Sequence, residues 1–167
     1  MIRFAEISDL EYINEIYNQA VDSRNSTADL DYISLDERKI WFENHNPHSY
    51  PVFVYEKDKK IVGWLSISPY RRGRRALADT AEMSYYIHND YQRQGIGSEL
   101  VKFCLENIRL FGIKHLICIL LGTNIGSIRL LEKFNFEKWG ELPNIVNIDG
   151  RICSHLYYGK SLPSEEI

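Results

Sequence analysis

The stretch His115–Leu121 constrains the fold more than any other, because only its first residue is polar. It is far shorter than the roughly 18–20 apolar residues a membrane span needs. Its lack of alternation is the pattern of a strand covered on both faces, not of one with a wet side. The segments around it supply cover. Gly95–Phe111 reads as a helix with Leu100, Val101, Cys104, Ile108 and Phe111 on one face, and Asn124–Phe134 reads as a shorter one.

The rest of the chain supplies partners for that strand. Ile2–Phe4 reads as a short strand, and Ser8 or Asp9 caps a helix carrying Leu10, Ile13, Tyr17 and Val21. After the polar, irregular stretch Ser23–Tyr32, a second helix runs from Asp36 to Asn46 and stops before Pro47. Val52–Tyr55 and Ile61–Ile67, joined by the charged turn Glu56–Lys60, read as a hairpin. Arg71–Arg75 is a basic loop, Ala81–His88 a strand, and strands near Phe136–Leu142 and Ile152–Lys160 close the chain. No repeat, low-complexity tract or linker interrupts this order. It predicts one α+β domain over residues 1–167 with a mixed sheet.

With 44% apolar and 26% charged residues, such a chain builds its core without staples. A net charge of −3 argues against a general nucleic-acid binder. Cys104, Cys118 and Cys153 are far apart, and Met1–Ala5 leads into a polar helix, not a signal peptide. The expectation is a reduced, cytoplasmic chain with free thiols. His45, His48, His88, His115 and His155 are scattered without ligand spacing, so no metal is expected. His88 and His155 fall near strand ends.

Chemistry concentrates in Glu82–Ser98. A strand runs out through Asn89-Asp90 into Gln92-Arg-Gln-Gly95-Ile-Gly97, and a helix begins at once. Glycines let backbone amides approach a bulky anion, and a helix N-terminus favours phosphate through its unpaired N–H groups and dipole. A Rossmann fingerprint would need a third glycine where Leu100 stands. A Walker loop would need Gly-Lys-Ser/Thr where the chain has Gly97-Ser98-Glu99. The inference is a pyrophosphate cradle of another kind. Glu82, between Ala81 and Met83, is placed to have a raised pKa and basic character. Asn124 reads as a helix N-cap.

Gln92-x-x-Gly95-x-Gly97 after a strand, followed by Asn124-x-x-Ser127-x-x-Leu130 opening a helix, resembles the GNAT N-acetyltransferases. Ile16-Tyr17-Asn18, Glu37-Arg38 with Trp41-Phe42, Tyr50-Pro51, Val62-Gly63-Trp64, Arg74 and Ala81–Ile87 sharpen the resemblance to the phosphinothricin-acetyltransferase-like branch. It implies the GNAT fold: a mixed, mostly antiparallel twisted sheet of about seven strands with about four helices, splayed between the fourth and fifth strands to admit acetyl-CoA. Departures from the branch are Asn135-Phe136 in place of Gly-Phe, Leu77 in place of an aromatic residue and Leu131 in place of histidine. Asn135 tolerates the left-handed turn better than most residues.

The resemblance also implies roles. Glu82 is the general base for acetyl transfer to a primary amine. The backbone of Tyr85, Tyr86 and Ile87 holds the pantetheine arm and polarises the thioester carbonyl. Arg93, Gln94, Gly95, Ile96, Gly97 and Ser98 cradle the pyrophosphate, with Asn124 and Ser127 contributing, and Arg74 pairs with an anionic group on the acceptor. Leu130, Leu131 and Phe134 occupy the region where many relatives carry a tyrosine as general acid, so no residue is assigned that role. The acceptor implied is a small-molecule amine, an amino acid or analogue such as phosphinothricin, methionine sulfone or methionine sulfoximine. The alternatives are a protein N-terminus or lysine, or a non-catalytic acyl-CoA-binding module. Relatives in this branch commonly form homodimers, and no nucleic-acid or membrane partner is expected.

Overall fold

Each strand sorts its side chains to two faces, and the helices follow. The computed structural model describes residues 1–163, so the last four residues of the single-domain expectation lie outside it. The strands are β1 (Ile2–Phe4), β2 (Val52–Lys57), β3 (Lys60–Pro69), β4 (Thr80–Ile87), β5 (His115–Leu121), β6 (Glu137–Ile148) and β7 (Arg151–Ser161). The helices are α1 (Leu10–Asp22), α2 (Leu35–Glu43), α3 (Ile96–Asn107) and α4 (Ile125–Lys133). One sheet of order β1-β2-β3-β4-β5-β7-β6 contains all seven strands.

Val52, Val54 and Trp64 point to one face, where they meet Leu10, Ile13 and Ile16 of α1. Phe53 and Leu65 point to the other and pack with Leu100, Val101 and Cys104 of α3. Trp64 also donates its indole N–H to the carbonyl of Ile13 at 3.1 Å, which fixes α1 on β3. Leu116, Cys118 and Leu120 of β5 lie in the α3-side core, and the strand is covered on both faces, as its composition predicts.

All strand pairs are antiparallel except β4–β5. That parallel pair is short: Thr80↔His115, Ala81↔Leu116 and Glu82↔Ile117. Beyond Glu82 the strands part, and the β5-facing edge of β4 has no ladder partner. This is the expected splay.

Several strand ends shift by one or two residues from the sequence reading, and three boundaries differ for a clear local reason. Helix α2 starts at Leu35 and ends at Glu43, because Ser34 and Glu37 form a capping box and Asn44 ends the helix. Helix α3 ends at Asn107, and Ile108–Phe111 continues as a 3₁₀ turn closed by left-handed Gly112. Strand β6 runs on to Ile148, since Pro143 sits on a sheet edge where its missing N–H is tolerated and the register slips between Leu142 and Val146. Asn135 adopts φ +58°, the left-handed turn expected of it.

All three cysteines are free and buried. Burial pushes the Cys104 thiol up to about 12 and holds Cys118 well above its ordinary value. The native protein is therefore expected to leave a thiol-reactive disulfide reagent uncoloured at pH 8, and to titrate three thiols once denatured. A fast-reacting native thiol would contradict this packing.

Candidate active site

Where β4 and β5 separate, two cavities open against each other. Ser84, Tyr86, Ile119 and Leu120 form walls of both. The first, about 350 Å³, lies toward the N-termini of α3 and α4. The second, about 530 Å³, lies toward α1 and α2.

The first cavity gathers most of the predicted cofactor residues. Tyr85, Tyr86, Ile87, Arg93, Gly95, Ile96, Gly97, Ser98, Asn124 and Ser127 all line it. Gly95 caps α3 at φ +87°, a left-handed conformation that turns the chain from loop to helix. The first helical hydrogen bond runs from the Glu99 amide to the Gly95 carbonyl, so the amides of Ile96, Gly97 and Ser98 have no partner within the helix. Gly97 serves packing: a Cβ there would come 3.1 Å from Leu130, whose helix closes the same cavity. Gln94 is the exception. It does not line the cavity; its side chain donates to the Asp90 carbonyl and accepts from the Lys57 ammonium, tying the loop down from outside.

Asn124 does both things read from its position. Its side-chain oxygen accepts from the Ser127 amide at 3.1 Å, capping α4, and the residue lines the cavity. Asn124→Ala should cost about 1 kcal/mol of stability. That corresponds to roughly 2–4 °C in a thermal melt of a chain this size, and an unchanged melt would remove the cap from the account. The Tyr85 hydroxyl is buried without a hydrogen-bond partner among the described residues. An unpaired buried hydroxyl is costly, and at the wall of this cavity it fits a ligand that brings its own polar atoms.

Glu82 marks the junction. It holds the last paired position of the parallel ladder and lines the second cavity, half-buried. Burial alone raises its carboxyl above the ordinary 4.5. His155 also lines this cavity, and burial lowers its pKa from 6.5, which keeps the ring neutral at pH 7. His88 does not line it and instead caps a 3₁₀ turn by accepting from the Asp90 amide.

Arg74 is not brought to either cavity. It is exposed, in the loop that left-handed Gly73 turns outward between β3 and β4. The arginine that does line the second cavity is Arg38 of α2, which enters the family resemblance in the sequence without a role. Its signal was indirect: Tyr17, Trp41 and Trp64, three aromatic residues on separate elements, converge on it. Among the described residues no group of three or more His, Cys, Asp or Glu is placed to hold a metal ion. None of their helices is long and apolar enough to cross a membrane.

A splayed sheet, a glycine-turned helix N-terminus beside the gap and a half-buried carboxylate at its apex fit an acyl-transfer scaffold. Residues 10–136 match the Acetyltransferase (GNAT) family, and the chain belongs to that family as an N-acetyltransferase. YwnH of Bacillus subtilis (strain 168), provisionally named a phosphinothricin acetyltransferase, is 36% identical over 162 residues, 96% of this chain and 98% of its own. An L-methionine sulfoximine/L-methionine sulfone acetyltransferase of Salmonella typhimurium is 29% identical over 86% of this chain and 84% of its own. The structure of yncA from Salmonella typhimurium, solved with its cofactor acetyl-CoA, superposes with a TM-score of 0.92 at 27% identity. That likeness covers 100% of this chain and 96% of the other.

Proposed function

We propose that this protein transfers the acetyl group of acetyl-CoA to the primary amine of a small amino acid or analogue, of the methionine sulfone or phosphinothricin kind. The observation that carries the reading is Glu82: a half-buried carboxylate with no ion pair among the described residues, where the cavity lined by the start of α3 meets a second, polar one. The names of the relatives and the acetyl-CoA in the yncA structure support the choice of reactants.

The amine enters the second cavity and must be neutral to attack. Glu82, directly or through one water, takes one proton from the ammonium to give the neutral amine. As the C–N bond forms and the C–S bond breaks, the second proton on nitrogen passes to the departing thiolate or to solvent. The free edge of β4 offers the backbone N–H groups of Tyr85 and Ile87 to the carbonyl oxygen as charge builds there. A single such donor is typically worth about 3–4 kcal/mol in the transition state. The unpaired amides at the start of α3 face the pyrophosphate, with Arg93 beside them. A thiol has an ordinary pKa of about 8.5, so the thiolate leaves without a dedicated acid.

The test is thiol release from acetyl-CoA across a panel of L-methionine sulfone, L-methionine sulfoximine, phosphinothricin, common amino acids, polyamines and a short peptide. Turnover is expected with the amino-acid analogues, and acetyl-CoA alone is expected to protect the protein against thermal unfolding. Turnover with the peptide only would move the acceptor to a protein N-terminus. Protection without any turnover would leave a binding module, and no protection would overturn the cofactor assignment.

We also read the chain as a cytoplasmic homodimer, supported by its free thiols and by Trp139, Ile145 and Ile152 exposed on the β6–β7 hairpin. A solution mass near twice 19.6 kDa is expected from light scattering, and a monomer's mass would contradict it.

A further inference from the structure

Arg38 is only 4% exposed, yet it is in no ion pair among the described residues. Its guanidinium carbon lies 4.5 Å from the Tyr17 ring centre, 4.7 Å from that of Trp41 and 5.6 Å from that of Trp64. These rings are a wall that offsets part of the cost of burying a cation, and they hold the group in one place. A guanidinium has five N–H donors. Only Nε is used here, donating to the Asn14 side-chain oxygen at 3.3 Å. The terminal nitrogens have no partner among the described residues, and neither is sealed from the cavity that Arg38 lines.

The acids nearby do not compensate it. Asp29 accepts from the Tyr17 hydroxyl, and Glu37 is engaged with the amide and hydroxyl of Ser34. Glu82 is the remaining carboxylate of the cavity. Glu82, Arg38 and Tyr86 all line this cavity, and Glu82 and Arg38 act with opposite sign on the Tyr86 hydroxyl. With His155 neutral, Arg38 is the one permanent cation among the residues lining this cavity.

We propose that Arg38 recognises the α-carboxylate of the acceptor through its two terminal nitrogens, so that the cavity selects α-amino acids over other amines. This rests on the acetyl-transfer reading above, with the amine directed to Glu82. The fork of an arginine matches a carboxylate in two parallel hydrogen bonds, and a lysine does not. Without Arg38 the field of Asp29, Glu37 and Glu82 would favour the opposite selection, a neutral or cationic acceptor.

The experiment compares L-methionine sulfone with its carboxamide, by thiol release and by the fluorescence of Trp41 and Trp64, which flank the arginine. Wild-type protein is expected to favour the acid by about 100-fold in kcat/KM, the scale of a buried charge-assisted hydrogen-bond pair. Arg38→Lys should collapse that preference below about tenfold, through KM for the acid, with acetyl-CoA affinity unchanged. Equal use of acid and amide by the wild type would overturn the inference and leave acetyl transfer standing. So would a preference that survives Arg38→Lys but is lost in Arg74→Ala. Should no amine be acetylated, the acetyl-transfer reading fails, and the fluorescence titration decides for Arg38 alone. Acid-selective binding lost in Arg38→Lys sustains it, and binding indifferent to the carboxylate sinks it.

Discussion

Glu82→Gln should lower kcat by about 10²–10⁴-fold, the usual contribution of a positioned general base, and leave the Kd for acetyl-CoA unchanged. Glutamine keeps the shape and the half-buried position but has no lone pair basic enough to take a proton. The pH profile carries the same information. Burial raises the Glu82 carboxyl above 4.5, so the base is lost, and kcat/KM falls, as pH drops through that raised value. The sign for stability is the reverse of activity. The folded chain holds the Glu82 proton more tightly than the unfolded one, so this group's contribution worsens as pH rises from 4.5 through the folded value. Above that window the full cost is present, and Glu82→Gln removes it. The variant should therefore melt no lower than the wild type at pH 7.5 while being nearly inactive. Near-wild-type turnover would remove Glu82 from the chemistry, and a lower melting temperature would assign it a structural role.

Gly95→Ala is expected to raise the Kd for acetyl-CoA by about 10–100-fold, the scale of one lost charge-assisted amide contact. At φ +87° any side chain is strained, by about 1–2 kcal/mol, and relief comes by rotating the amides that start α3 away from the cavity. A Cβ at this position would meet no protein atom within 4 Å, so the loop is not held closed by packing and the protein still folds. Gly73 provides the control. It has φ +78° and the same open surroundings but lies in the exposed arginine loop. Gly73→Ala should lose comparable stability and keep its acetyl-CoA affinity. If both variants bind acetyl-CoA as the wild type does, the start of α3 is not the cradle.

The strand-to-helix stretch Glu82–Ser98 was legible because its structure is local: strand, glycine turn and helix start are consecutive in the chain, and their joint geometry follows from residue type. The apolar run His115–Leu121 was legible for the same reason. What escaped was set by elements distant in sequence. Arg38 looks like an ordinary helix charge until α2, α1 and β3 bring Trp41, Tyr17 and Trp64 around it. Arg74 is given a ligand's role by the resemblance, yet it is exposed in its loop and lines neither cavity. By sequence a strand stops near Leu142, and only the place of Pro143 on the sheet edge shows why β6 passes through it. Gln94 belongs to the motif, but Lys57 and Asp90 hold its side chain outside the cavity.

The most direct test of acetyl transfer at this junction is one incubation of the purified protein with acetyl-CoA and L-methionine sulfone, followed by free-thiol assay and mass spectrometry of the acceptor. One N-acetylated acceptor per thiol released is the predicted result. Thiol without acetylated acceptor, or no thiol while the same preparation binds acetyl-CoA, would contradict it.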